Sequence, residues 1–182
     1  TITPQSGTTL TLGGSGDTVS VASGVTNNLG ITMADQFRLT TSFTGGATPI
    51  ASNLARINTN AQGTLGTGMT ESSGIFTFPS TGIYYVTFTV LINNVATDTS
   101  IEGFIRTTTD NSSYSIVATL RESVDGTSGE NHQGTTSTLI DVTDTTLVKV
   151  RFDIASNAAN NRIFGDTSSN NTHMTFIRLG DT

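Results

Sequence analysis

The sequence predicts an all-β chain folded as an antiparallel sandwich or barrel. Three observations carry that reading. Apolar residues recur at every second position in segment after segment, the period of a strand whose side chains alternate between two faces. Thr, a strand former, occurs 37 times in 182 residues. The segments are short and are separated by clusters rich in Gly, Asn, Asp and Ser, such as Asn93-Asn94, Asp110-Asn111 and Asp125-Gly126, which supply turn geometry. No segment has a convincing helical period, and many short strands with frequent turns imply antiparallel pairing.

Along the chain, residues 1–34 stand apart: they hold no aromatic residue and no Lys or Arg. Two short alternating strands, Thr9 to Leu12 and Thr18 to Val21, flank the turn Gly13 to Asp17. A pair this small buries too little to stand alone, so Leu10, Leu12, Val19 and Val21 are read as an attachment arm that lies on the main domain, a neighbouring subunit or a larger partner. Phe37, Leu39, Thr41 and Phe43 then form one face of a strand, and Phe76 and Phe78 lie in a short strand closed by Pro79. From Gly82 to Ile92 the pattern is longest. Tyr84, Val86, Phe88, Val90 and Ile92 make a core face; Tyr85, Thr87, Thr89 and Leu91 make a second face that is half apolar and needs cover. Ile101, Gly103 and Ile105 follow, then Tyr114, Ile116, Ala118 and Leu120, then Thr136, Thr138, Ile140 and Val142. Between Leu147 and Ile154 the residues Val148, Val150, Phe152 and Ile154 face the core, which leaves Lys149, Arg151 and Asp153 for water. The last strand holds Met174, Phe176, Ile177 and Leu179. The domain division is 1–34 for the arm and 35–182 for the head.

Composition excludes several functions. Thr, Ser, Asn and Gly make up 89 of the 182 residues, and charged residues only 12%, with a net charge of -6. One Lys and seven Arg in an acidic chain do not make a nucleic-acid surface. No run of about 18 apolar residues exists to insert in a membrane. Without cysteine there is no disulfide framework and no thiolate chemistry. The first twelve residues have neither a basic start nor an apolar stretch, so no export signal is read there.

The stretch Gly74-Ile75-Phe76-Thr77-Phe78-Pro79-Ser80-Thr81-Gly82-Ile83-Tyr84-Tyr85-Val86-Thr87-Phe88 resembles the signature of the tumour-necrosis-factor-like, complement-type globular head. The matching positions are Gly74, Phe76, Pro79, Gly82, Tyr84 and Phe88. Weaker similarity runs through Asn58 to Gly68, Asp141 to Val150 and His173 to Leu179, so it covers about residues 35–182. The resemblance implies a jelly-roll of about ten strands that forms a tight homotrimer. Tyr85 and Leu91, on the face that needs cover, are the expected trimer-interface residues; the alternative is that a second sheet of the same jelly-roll shelters them. The segment from Pro4 to Val19 resembles stretches found in structural proteins of tailed bacteriophages, where such an arm often precedes a jelly-roll head.

Catalysis is not expected. His132 lies in a polar loop and His173 at a strand start, and no Gly-x-Ser-x-Gly elbow accompanies either. Glu71, Glu102, Glu122 and Glu130 are the candidates for a glycosidase pair, but with no Trp and three Tyr the chain lacks the aromatic lining of a sugar groove. Asp98 and Asp110 lie in turns without the spaced acidic pattern of a calcium loop, and no phosphate-binding loop exists. No cofactor and no metal are expected. The reading is a non-enzymatic homotrimer on the exterior of a phage virion. It is a capsid-decorating (cement) protein held to the major capsid protein or another virion protein through its arm. A tail-fibre head that binds a host-surface receptor or glycan is the alternative, and a secreted lectin-like module the third.

Overall fold

A computed structural model describes residues 15–16, 30–94, 100–123, 129–156 and 160–182. The proposed arm residues Leu10, Leu12, Val19 and Val21 lie outside the described residues. Among those described, every regular element is a strand: β1 (Met33–Leu39), β2 (Phe43–Thr44), β3 (Leu54–Arg56), β4 (Thr70–Ser72), β5 (Ile75–Thr77), β6 (Gly82–Asn93), β7 (Ser100–Thr108), β8 (Ser115–Ser123), β9 (Asn131–Val142), β10 (Lys149–Ser156), β11 (Arg162–Ile163) and β12 (His173–Gly180). They form an antiparallel jelly-roll sandwich of two sheets. The seven-stranded sheet runs β2-β11-β6-β12-β1-β3, with β9 paired to β6; the five-stranded sheet runs β4-β5-β10-β7-β8.

The core fills the space between the sheets with the alternating sets read from the sequence. Tyr84, Val86, Phe88, Val90 and Ile92 of β6 are buried, as are Val150, Phe152 and Ile154 of β10 and Ile101 and Ile105 of β7. Phe76 occupies the centre. Its ring meets Phe37 at 5.1 Å, Phe176 at 5.2 Å and Phe152 at 5.4 Å. Such aromatic contacts add to the burial of area.

The resemblance motif has a physical basis in the fold. Gly74 has φ of +81°, and a Cβ there would sit 2.3 Å from the Ile50 carbonyl oxygen. Gly82 has φ of +139°, and its Cβ would meet the Gly180 carbonyl oxygen at 2.5 Å. Both positions therefore need glycine. Just after Gly82, the Tyr84 hydroxyl donates to the Ser80 carbonyl at 2.9 Å and ties the turn to the strand that follows it.

Three expectations are corrected. The strand drawn from Phe37 through Phe43 breaks after Leu39: the Leu39 carbonyl accepts from Asp166 N, Thr40 N donates to Asn53 O, and Phe43 restarts in β2 opposite β11. The polar face of β10 is not open to water. Asp153 is 1% exposed, with Arg106 Nε 2.7 Å from Oδ2 and Arg151 Nε 3.2 Å from Oδ1. Burial pushes its carboxyl above the ordinary range, against the pull of Arg151 and Arg106. Lys149 is buried too, its Nζ donating to Thr145 O at 2.6 Å. Finally, strict alternation groups Ile116 with Leu120, but Ala118 pairs with Ile105 and Ile116 with Arg106. Val117 is thus a bulge, and Ile116 and Val117 are both exposed.

Asp35 closes one end of the sandwich. It is buried, and its carboxylate accepts from Arg56 Nε at 3.0 Å, Met69 N at 2.7 Å, Gln36 N at 2.9 Å and Thr64 Oγ1 at 3.2 Å. One carboxylate thereby pins the chain from Arg56 to Met69 onto β1.

Replacing Phe76 by Ala removes the ring shared by both sheets. We expect a loss of about 3–5 kcal/mol in unfolding free energy, measured by urea denaturation with an unchanged slope.

Candidate functional site

With one face of the seven-stranded sheet turned to the core, the other face is set by register. Cross-strand partners share a face, so the pairing defines rows running across β9, β6, β12 and β1. One row is apolar: Leu139, Tyr85, Ile177 and Ala34, extended by Leu65 through its bridge to Ala34. Leu139 is 62% exposed, Leu65 49% and Tyr85 37%. Leu179, two residues beyond Ile177, and Ile31, three before Ala34, are exposed as well. The next row is neutral and polar, with Ser137, Thr87, Thr175 and Gln36; Gln36 Nε2 donates to Thr175 Oγ1 at 2.8 Å. The third holds Thr135, Thr89, His173 and Arg38, with the two Thr hydroxyls 2.8 Å apart.

Tyr85 and Leu91 lie on this face, as their spacing requires, but they are six residues and about 20 Å apart along β6. The second sheet of the sandwich covers the opposite face of β6, and Tyr85 stays exposed. Leu91 is half-buried; its N–H donates to Thr172 Oγ1 at 3.2 Å and its carbonyl accepts from Phe164 N at 2.9 Å. Leu139 is the interface candidate that sequence reasoning missed. Its signal was the mismatch within Thr136 to Val142, where an apolar residue falls on the outward parity.

Two of the surface clefts among the described residues bear on this site. One, of about 700 Å³, is lined by Thr32, Met33, Pro79, Ser80, Arg178 and Asp181. Its Arg178 is already engaged with the Thr81 carbonyl at 3.0 Å and with Asp181. The other, of about 270 Å³, has Ala34, Gln36, Gln62, Thr175 and Ile177 in its wall.

The remaining candidates are dispersed. Glu71 accepts from Gly74 N at 2.7 Å, Glu102 pairs with Arg121, and Glu130 lies 3.7 Å from His132 Nε2. Glu122 faces Gly134 at the contact between β8 and β9. Asp110 is locked in its own turn by Thr108, Ser112 and Ser113, which hold its carboxyl well below the usual range. Asp98 lies outside the described residues. Among the described residues no group of three or more His, Asp or Glu side chains is placed to hold a metal ion.

No family model matches this sequence, and no curated protein matches it. Solved structures do match. Murine APRIL superposes with a TM-score of 0.59 at 12% identity, covering 81% of this chain and 98% of that one. Eiger TNF from S. frugiperda gives a TM-score of 0.62 at 11% identity, covering 84% of this chain and 95% of that one. The fold is therefore the tumour-necrosis-factor-like jelly-roll.

His173 supplies a pH test of this face. Burial, with Arg38 opposite, holds its imidazole below the ordinary 6.5 even though the Asn170 carbonyl favours the charged ring. The unfolded chain then takes up the proton first as pH falls. Stability is present above about pH 6.5 and is lost below it. Urea midpoints in halide-free buffer should fall between about pH 7 and pH 5, and His173→Asn should flatten that slope.

Proposed function

We propose that this chain is a passive trimeric head on the exterior of a tailed-phage particle. There it acts as a capsid-decorating protein whose N-terminal segment grips the shell. The observation that carries the reading is the exposed apolar row Leu139–Tyr85–Ile177–Ala34–Leu65 on a sheet face that the chain's own second sheet does not cover. Burying apolar surface is worth about 25 cal/mol per Å², so sharing this row among copies is favourable. The neighbouring strand adds to the argument. Among the described residues β9 pairs only with β6, so the backbone groups along its other edge have no strand partner, although β8 packs beside it. The resemblance of Pro4 to Val19 to phage structural segments supplies the particle context.

A passive role agrees with how the described ionic groups are used. Asp35 serves Arg56, Asp153 holds Arg106 and Arg151, and Glu102 holds Arg121. These pairs brace strands and loops rather than converge on a cleft.

Light scattering should give three times the protomer mass. Tyr85→Asp or Leu139→Asp should weaken assembly by roughly thirtyfold or more, with the β-sheet spectrum unchanged. A monomeric wild-type protein overturns the trimer. Deleting residues 1–30 should leave a folded head that no longer joins particles, and antibody labelling in electron microscopy should mark the shell. Label confined to tails would replace decoration with the fibre-head reading.

A further inference from the structure

The third row of the outer face holds a cation with no counter-charge. Arg38 is 2% exposed, and its Nη2 donates to Gln62 Oε1 at 2.6 Å. Its Nη1 is buried and has no hydrogen-bond partner. No carboxylate lies within ion-pair reach of it among the described residues. The buried acids are not isolated in this way, although Lys149, another buried cation among the described residues, also has no carboxylate within ion-pair reach. Asp35 and Asp153 each have arginine, and Lys149 has a backbone oxygen. A guanidinium removed from water without an anion is strongly disfavoured.

Further unpartnered polar groups lie close by in the fold. His173 stands directly opposite on β12, where side chains on one face lie about 5 Å apart at Cβ, and its Nδ1 is likewise buried without a partner. Asn170, whose carbonyl adjoins the His173 ring, has a third buried, unpartnered atom at Oδ1. Asn170 Nδ2 donates to Gln36 Oε1 at 2.7 Å, and Gln36 Nε2 donates to Thr175 Oγ1. Turning both amides over keeps this chain of hydrogen bonds, because the Thr175 hydroxyl can donate as well as accept. Asn170 then presents an N–H where its oxygen was. Gln36, Gln62 and Thr175 also line the 270 Å³ cleft, which therefore opens beside the residues that hydrogen-bond Arg38 and Asn170.

We propose that Arg38 anchors a buried binding site for a small monovalent anion of halide size, with Asn170 and His173 as further donors, entered through the cleft between Gln36 and Gln62. Nη1 is closed to solvent, so an ion reaches it only if the Gln36 and Gln62 side chains swing aside, and a small monovalent ion needs the least displacement. The charge follows from Arg38 itself. Water could satisfy Nη1 but would leave its charge uncompensated.

Binding is linked to protonation. Besides Arg38 on β1, the elements around His173 bring few charges to it. β6 and β9 contribute Thr89 and Thr135, the segment between β3 and β4 brings Gln62, and the segment between β11 and β12 carries Asp166. Asp166 is occupied by Ser168 and Ser169, which lower its carboxyl to about 2, and Arg38 is not among its partners. An anion would favour the imidazolium, so its affinity should rise as pH falls, by up to about tenfold per pH unit for one linked proton.

The test uses bromide on the full chain. Melting temperature at fixed ionic strength should rise as bromide replaces gluconate, more at pH 5.5 than at pH 7.5, and Arg38→Gln should abolish the dependence. General salt effects move both proteins alike, so an equal response in the variant overturns the site. So does no response in the wild type. Should Arg38→Gln fail to fold, crystals of the wild type grown in bromide decide the matter. An anomalous peak beside Arg38 Nη1 is expected, and a water there, with bromide only elsewhere, overturns the proposal.

Discussion

Phe76 sits where five strands meet, and its packing constrains all of them. It belongs to β5 in the five-stranded sheet, and its ring touches Phe37 of β1 and Phe176 of β12 in the other sheet and Phe152 of β10 in its own. Phe152 in turn meets Phe88 of β6 at 5.1 Å. The five rings join both layers through one cluster. Because a protein interior is close-packed, none of these strands can slip by one residue without driving a ring into solvent and a Thr or Arg into the core.

That constraint fixes the outside as firmly as the inside. Once Tyr84, Val86 and Phe88 are claimed by the core, Tyr85, Thr87 and Thr89 must face outward, and pairing lines each up with a residue of β9 and of β12. The chain does not choose its exposed face separately. A surface with one apolar row and two polar rows is the other side of an aromatic core. Its composition is therefore the place to look for function: Leu139 and Tyr85 serve no purpose in the core, yet they occupy outward positions where Thr is this chain's habitual residue.

Most of the fold was legible because period-two patterning is a direct image of a two-faced strand. The long strands β6, β7, β9, β10 and β12 all stand close to where alternation places them. The short strands β3, β4 and β11 were not legible, since two or three residues contain no period to read. The break after Leu39 escaped for a different reason. Thr41 and Phe43 continue the alternation, but the chain's hydrogen bonds there go to Asn53 and Asp166, a long-range choice no local pattern records. On the candidate face, Tyr85 and Leu91 were visible as outward apolar residues. Their separation by two polar rows was not, because it depends on what the neighbouring strands place beside them.

Charge was the least legible property, and the reason is instructive. Pattern reading sends every Asp and Arg to water, whereas this fold buries Arg38, Asp35 and Asp153. Two of the three cases follow one rule. An Arg side chain is long enough to cross a strand spacing and carries several N–H donors, so Arg56 and the Arg106–Arg151 pair neutralise an acid that burial would otherwise expel. Each such pair is self-contained and fastens a loop or a sheet face. Arg38 breaks the rule: the same kind of side chain, as deeply buried, is met by amides and an imidazole instead of an acid. A chain with fourteen acidic residues had carboxylates to spare for that position. Supplying neutral groups there makes sense if the negative charge comes from solution, which turns the exception into a place on this face that calls for a partner ion.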